Sequence, residues 1–290
     1  MSTQKWKHVT IIGCGLMGAS FALALKKSGI ETRIAGWDCS ETALKTALER
    51  GVIDEVDRSF SDWKVSAADL VYLAMPVGGI VAFLRKHGSQ VKDGALVTDT
   101  GSTKADVCRA ARKYLPQGRN FVGGHPITGS QHAGLAHARD DLFAKATYVL
   151  VKNSEEVDGL SELTQALEAI EARVVFMTAD EHDSTLALIS HLPQLLSTAL
   201  AATVKSQSHA NALLTIAGPG YRDMTRLAAS PWSMWRDILA TNPEPITLAL
   251  SAMVQKLTLL ETELQKCSGQ QEVNLMAAQQ MFEQAQAPTL

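Results

Sequence analysis

Val9-Thr10-Ile11-Ile12-Gly13-Cys14-Gly15-Leu16-Met17-Gly18 is the stretch from which the fold of the amino-terminal half follows. A β-rich apolar run ends in glycines spaced Gly-x-Gly-x-x-Gly, and a helical pattern begins at once. The first glycine permits a tight turn, the second lets a pyrophosphate approach the backbone, and the third lets helix and strand pack closely. The phosphates then rest on the positive N-terminus of the helix. Asp38 ends the next apolar run, 20 residues after Gly18. A carboxylate there can accept both ribose hydroxyls of NAD and repels the 2′-phosphate of NADP. Gly13, Gly15, Leu16, Met17, Gly18 and Asp38 are therefore the candidate cofactor-binding residues, with NAD as the expected cofactor. The competing readings are a glycine turn without ligand and a surface acid that merely opens a helix.

Working outward, five short apolar runs bounded by Gly, Asp or Pro occupy 9–12, 32–37, 70–75, 96–99 and 121–123. Helical patterns lie between them, such as 20–28 and 40–50, the latter with Ser40 as its N-cap. Near-continuous apolar strands alternating with helices indicate a parallel sheet covered on both faces. Two further runs, 148–151 and 174–177, are expected to extend that sheet, with a helix over 155–171 between them. After Thr178 the strand signal stops. Leu186, Ile189, Leu192, Leu196 and Leu200 keep helical spacing, with a kink expected at Pro193. Ile246, Leu250, Met253, Leu257, Leu260 and Leu264 form a heptad-like stripe, and Leu248, Ala252, Val254 and Leu259 lie off it. That helix is either buried within its own domain or lends its second face to a homodimer. A last helix is expected in the Gln- and Ala-rich tail before Pro288. The expected architecture is an α/β N-terminal Rossmann-type dinucleotide-binding domain, 1–178, followed by an all-α C-terminal domain, 179–290, for substrate binding and dimerisation.

Composition narrows the class. The 290 residues are 46% hydrophobic and 20% charged, ordinary for a globular chain. Lys+Arg of 27 against Asp+Glu of 30 leaves a net charge of −3, which gives no global steering towards nucleic acid or an anionic membrane. Cys14, Cys39, Cys108 and Cys267 have neither CxxC spacing nor a nearby His pair, so they are expected as free thiols in a reducing compartment, not as a metal site. The apolar stretch 9–25 imitates a secretory signal, but its glycines interrupt it and no cleavage pattern follows. No other run reaches the roughly 18 uncharged apolar residues of a membrane span. A cytoplasmic protein without nucleic-acid or membrane partners is expected.

Further motifs end the later strands. Pro76 and Val77 follow the third run, where they either touch the cofactor or simply end the strand. Asp99-Thr100-Gly101-Ser102-Thr103-Lys104 follows the fourth, with Ser102 near a nicotinamide or serving as an N-cap. Gly123-Gly124-His125-Pro126-Ile127-Thr128-Gly129-Ser130 follows the fifth. A histidine fixed there suits proton transfer beside a hydride acceptor, or is a structural loop residue. In the helical part stand His182-Asp183, then Ser190-His191-Leu192-Pro193-Gln194, then Gly220-Tyr221-Arg222-Asp223-Met224-Thr225-Arg226, continuing to Trp232 and Trp235. Ser190 and Gln194 are four apart and could line a polar pocket, and Trp235 is a further substrate-binding candidate. Arg226 alone reads equally as a surface residue paired with Asp223.

Taken in this order, GCGLMG, the Asp38 strand end, DTGSTK, GGHPITGS, SHLPQ and GYRDMTR…SPWSMW resemble the prephenate/arogenate dehydrogenase family of tyrosine biosynthesis over essentially the whole chain. The resemblance implies that His125 accepts the proton of the substrate ring hydroxyl. It implies that Ser102 bonds near that hydroxyl and the nicotinamide, and that Arg226 pairs with a substrate carboxylate. His191 and Gln194 would line the substrate side-chain end. Similar enzymes often carry a second histidine where this chain has Gln194 and an acid where it has Gln131, departures that bear on the substrate. Some relatives carry a chorismate mutase or a regulatory domain, for which 290 residues leave no room. The implied activity is oxidative decarboxylation of prephenate to 4-hydroxyphenylpyruvate with NAD and without metal; an arogenate or dual-specificity enzyme is the alternative. A β-hydroxyacid dehydrogenase would need a catalytic lysine, and the helical motifs offer only Lys205. A non-catalytic NAD-binding protein would have no use for Ser102, His125 and Arg226 together.

Overall fold

The computed structural model describes residues 6–58, 67–129, 134–152, 157–267 and 275–286. The β-rich runs form β1 (His8–Ile12), β2 (Arg33–Trp37), β3 (Glu55–Val56), β4 (Leu70–Leu73), β5 (Leu96–Asp99) and β6 (Asn120–Val122). They make one sheet in the order β3-β2-β1-β4-β5-β6, with every pair parallel. Between them run α1 (Leu16–Lys27), α2 (Glu41–Glu49), α3 (Val77–His87) and α4 (Ala105–Tyr114). Side chains alternate across a strand, so Ile11 packs with Phe21 of α1 and Leu44 of α2, while Ile12 packs with Ile80 of α3 and Val107 of α4. Both faces are thus buried, as the sequence predicts. Ser40 caps α2, its hydroxyl accepting from Ala43 N–H at 3.2 Å. The strand order reverses between β1 and β4, and the crevice outside the carboxyl ends at such a point is where ligands bind.

The runs around 148–151 and 174–177 do not extend this sheet. With a strand that the sequence reading passed over, β7 (Gly124–Ile127), they form a second sheet: β8 (Thr147–Val151) lies between β7 and β9 (Arg173–Met177), antiparallel to the first and parallel to the second. Helix α5 (Leu160–Ala169) links β8 to β9. The double glycine explains the departure. A Cβ on Gly124 would stand 2.6 Å from Asp99 O, so only glycine lets the chain cross this close to β5 and start a new ladder. β7 is an edge strand, the one place where Pro126 removes no ladder hydrogen bond.

The last described strand ends at Met177, and helices follow: α6 (Ala179–Leu186), α7 (Leu192–Lys205), α8 (Ala210–Thr215), α9 (Pro219–Thr225), α10 (Trp232–Thr241), α11 (Pro243–Cys267) and α12 (Met276–Ala285). α6 and α7 are joined by a π-helical turn, Ala187–His191. Pro193 lacks an N–H and its ring crowds the carbonyl four residues back, so the wider turn takes the place of the expected kink. By length and composition alone, 179–205 could cross a membrane, since an 18-residue window within it has a mean hydropathy of 1.3. This exceeds the expectation that no such run exists. Its His182, Asp183, His191 and Gln194 are buried and bonded to other parts of the chain, however, as in a core helix.

Candidate active site

The glycine turn is built as its sequence requires. Gly13 has φ +97°, and a Cβ there would meet Ala74 O at 2.5 Å. A Cβ on Gly18 would stand 2.1 Å from Gly13 O, so the third glycine sets the approach of α1 to the turn. At Gly15 a Cβ would find nothing within 4 Å, which leaves the backbone open to a ligand. No acid occupies the first turn of α1, and its positive end is uncompensated. Leu16 and Met17 pack partly into the core. Asp38 Oδ2 accepts from Cys14 N–H and Oδ1 from Ser40 N–H, both at 2.8 Å, so the carboxylate is fixed at the end of β2. A cavity of about 530 Å³ opens beside it, lined by Trp37, Leu44, Leu48 and Arg58 among others. Burial and the nearby Asp38 charge push the Cys14 thiol up to about 12, so it is an inert filler inside the turn. Pro76 is exposed and opens α3, Val77 is buried in the core, and Gly78 N–H donates to Asp237 Oδ2 of α10 at 3.1 Å. This cradle fits a dinucleotide.

The DTGSTK and GGHP loops are one physical unit. Asp99 and Lys104 form a fully buried ion pair. Asp99 also accepts from Gly101 N–H at 2.7 Å and Gly124 N–H at 3.1 Å, and the Lys104 ammonium donates to Gly124 O at 2.7 Å. Ser102, between these anchors, is half-buried and does not cap α4. The cap comes from the helical part: Asp183 accepts from Lys104 N–H at 2.7 Å and Ala105 N–H at 2.8 Å.

A chain of imidazoles grows from that carboxylate. His182 Nδ1 lies 2.8 Å from Asp183 Oδ1, and His182 Nε2 lies 2.8 Å from Nδ1 of His125 on β7. Asn242 donates to Asp183 O at 2.9 Å and lies 3.3 Å from His191 Nδ1. The Asp183 carbonyl can only accept, so Asn242 presents its NH₂ here and His191 Nδ1 is an acceptor; the hydrogen of His191 is then on Nε2. Burial, reinforced by His182, Lys104 and His191, holds His125 well below the ordinary histidine range. Burial pushes His191 down to about 4, against the pull of Asp183. His182 is lowered by the same cause, opposed by its bond to Asp183. All three are neutral near pH 7. A neutral acceptor (His125) and a neutral donor (His191) are thus held by one buried network.

The remaining predicted residues divide. Trp235 meets His191 edge-on, with ring centroids 5.9 Å apart, and its buried indole N–H has no hydrogen-bond partner. Ser190 is half-buried on the π-helical turn. Gln194 is buried and its amide is engaged: Nε2 donates to Leu227 O at 2.8 Å and Thr198 Oγ1 at 3.2 Å, and Oε1 accepts from Ser230. It ties α7 to the 3₁₀ turn Arg226–Ala229. Arg226 is exposed on that turn and is not among the ion pairs formed by the described residues. Gln131 lies outside the described residues. The sequence alone does not single out Asp99, Lys104, Asp183 or Asn242 and gives His182 no role. Its one available signal was the His182-Asp183 pair at the first turn of a capped helix.

Comparison with known proteins adds to this geometry. The family described as "Prephenate dehydrogenase, nucleotide-binding domain" matches residues 21–176, and "Prephenate dehydrogenase, dimerization domain" matches 178–280. The chain is 34% identical to the prephenate dehydrogenase of Bacillus subtilis over 264 residues, covering 89% of this chain and 70% of that protein. Its fold is similar to the prephenate dehydrogenase of A. aeolicus solved with hydroxyphenyl propionate and NAD⁺: TM-score 0.85, 28% identity, 98% of this chain and 99% of that one. It is also similar to Synechocystis arogenate dehydrogenase, with TM-score 0.80 and 25% identity over 96% of this chain and 97% of that one.

Proposed function

The chain belongs to the prephenate dehydrogenase family, and from that premise we propose that it oxidises prephenate with NAD⁺ to 4-hydroxyphenylpyruvate and carbon dioxide, with His125 as proton acceptor. Residues 1–178 hold the cofactor, and 179–290 bind substrate and dimerise. A nicotinamide held by the glycine turn would supply the hydride acceptor for the ring carbon that carries the hydroxyl. His125 takes the hydroxyl proton as the carbonyl forms, the ring carboxylate leaves as carbon dioxide and its bonding electrons pass into the ring, and His125 returns the proton to the phenolate oxygen; aromatisation drives the step. A neutral imidazole suits this task, because a base must be unprotonated at the working pH. The observation that carries the proposal is the placement of His125: half-buried on β7, tied through Asp99 and Lys104 to the Ser102 loop, and backed by His182. Ser102 orients the hydroxyl. The His191 Nε2–H and the Trp235 indole N–H supply neutral donors, and Arg226 clamps a carboxylate from its exposed turn. Ser190 borders this pocket, Gln194 sets the turn that carries Arg226, and Gly13, Gly15, Leu16, Met17, Gly18, Asp38, Pro76 and Val77 form the cofactor side.

Arogenate, which carries an ammonium where prephenate has a keto oxygen, is the second reading, favoured by the likeness to the Synechocystis enzyme. Preference for it calls for a carboxylate at the side-chain end, since an unpaired charge in a partly dry pocket costs several kcal/mol. His191, Trp235 and Gln194 supply none. The test is NADH formation with each substrate. Prephenate should be used at least as well as arogenate, and His125→Asn should lose about 10²–10⁴-fold in turnover while still binding NAD⁺. Near-normal turnover of that variant removes His125 from its role. Arogenate preferred by about tenfold, roughly 1.4 kcal/mol of discrimination, overturns the substrate.

A further inference from the structure

We propose that Asp183 and His182 are positioning residues that fix the tautomer of His125, keeping its hydrogen on Nδ1 and leaving the Nε2 lone pair for the substrate hydroxyl. Asp183 starts the chain because an ionised carboxylate only accepts, and it already takes N–H bonds from Lys104 and Ala105 at the head of α4. His182 Nδ1 stands 2.8 Å from its Oδ1, so Nδ1 must carry the hydrogen of that ring. In a neutral imidazole the other nitrogen is then an acceptor. That acceptor, His182 Nε2, stands 2.8 Å from His125 Nδ1, which must therefore donate. His125 is left with its lone pair on Nε2. The opposite assignment would set a nitrogen lone pair against a carboxylate in a dry site, where an unmade hydrogen bond costs most.

The surroundings keep both rings neutral. The charged groups around them are Lys104, paired with Asp99, and Asp183, bonded to two amides; His191 is neutral. When His125 takes up the substrate proton it becomes an imidazolium whose Nδ1–H already points at His182 Nε2. That bond then becomes charge-assisted and strengthens as the reaction proceeds. No proton has to leave the pair. His182 is fully buried and bonded to His125, so its effect on the substrate passes through His125.

The inference rests on His125 being the proton acceptor, and the test separates the two. Proton–nitrogen correlation spectra of the wild-type protein with nitrogen-labelled histidine should place the hydrogen of both His125 and His182 on Nδ1. A hydrogen on Nε2 of either ring overturns the assignment. In Asp183→Ala the acceptor that holds the His182 hydrogen on Nδ1 is lost, both rings are free to take the other tautomer, and kcat should fall by about 10²–10⁴-fold with little change in KM. Because this variant also disturbs the cap of α4, a second pair decides if it fails to fold. His182→Gln, with donor and acceptor in one side chain, should retain at least about tenfold more kcat than His182→Leu. Equal kcat in those two variants overturns the positioning role. Normal turnover of His125→Asn instead removes the proton acceptor while the spectra stand.

Discussion

Asp38 is held by two backbone amides, so its charge stays at the end of β2 whether or not a ribose is bound. A 2′-phosphate there would face a fixed anion, which predicts strong preference for NAD⁺ over NADP⁺. Asp38→Asn removes the charge and keeps most of the shape. It should raise the NADP⁺-to-NAD⁺ ratio of kcat/KM by about tenfold, roughly 1.4 kcal/mol, as steady-state kinetics with both cofactors would read; an unchanged ratio counts against the role. Asp38 and the three glycines could be read from sequence because their task is local: a fixed spacing on one strand–turn–helix unit. His182 and Asp183 could not, because their meaning comes from an approach to His125 and Lys104 across 57 and 79 residues. Spacing alone reads Gln194 as a pocket-lining candidate, whereas in the fold its amide is engaged by Leu227 and Ser230, on a turn no periodicity marks.

Among the elements, the Asp99–Lys104 pair is where β5, the head of α4 and β7 are locked together. Both charges are fully buried, so removing Lys104 leaves Asp99 with two backbone amides but no counter-charge. Lys104→Met should destabilise the fold by about 3–5 kcal/mol, read as a lower urea midpoint. Loss below about 1 kcal/mol would mean that water reaches Asp99. The second sheet was not anticipated for a related reason. The runs that became β8 and β9 carry the apolar character of any buried strand, and composition does not say which ladder a strand joins. The deciding feature is Gly124, whose bare backbone lets β7 cross beside Asp99. Pro193 shows the converse: its disruption was legible, but the π-helical turn that absorbs it depends on His182, Asp183 and His191 all facing one buried network.

For the molecule as a whole, two consequences follow from what the single chain buries and what it leaves exposed. His125, His182 and His191 are held neutral in the fold, with pKa below the ordinary 6.5, about 4 for His191. The unfolded chain therefore binds protons first on acidification. Stability should be intact above about pH 6.5 and decline as pH falls towards about 4, and a Tm that does not move over that interval would contradict the assignment. The second consequence is assembly. Ile246 and Ala249 of α11 pack inside the helical part, but beyond them Leu257 is 51% and Leu264 63% exposed, and Leu248, off the stripe, is 73% exposed. Ile189 on the π-helical turn, Trp232 on α10 and Phe282 on α12 are exposed as well. Soluble single chains rarely show contiguous apolar patches beyond a few hundred Å², and the region matches a family domain described as a dimerization domain. Met253 still packs against that core, but Val254, Leu257, Leu259 and Leu264 are exposed, so α11 stays apolar beyond the part that covers the chain's own core. A homodimer through this helix is thus expected, with sedimentation showing twice the 31.2 kDa of the chain. In a two-fold interface each substitution enters twice, so Leu257→Lys buries two unpaired ammonium groups at a cost of several kcal/mol. That variant should sediment at 31.2 kDa at micromolar concentration, with its far-UV spectrum unchanged. A wild-type protein already at that mass, or a variant that still dimerises, would show that α11 is not the interface.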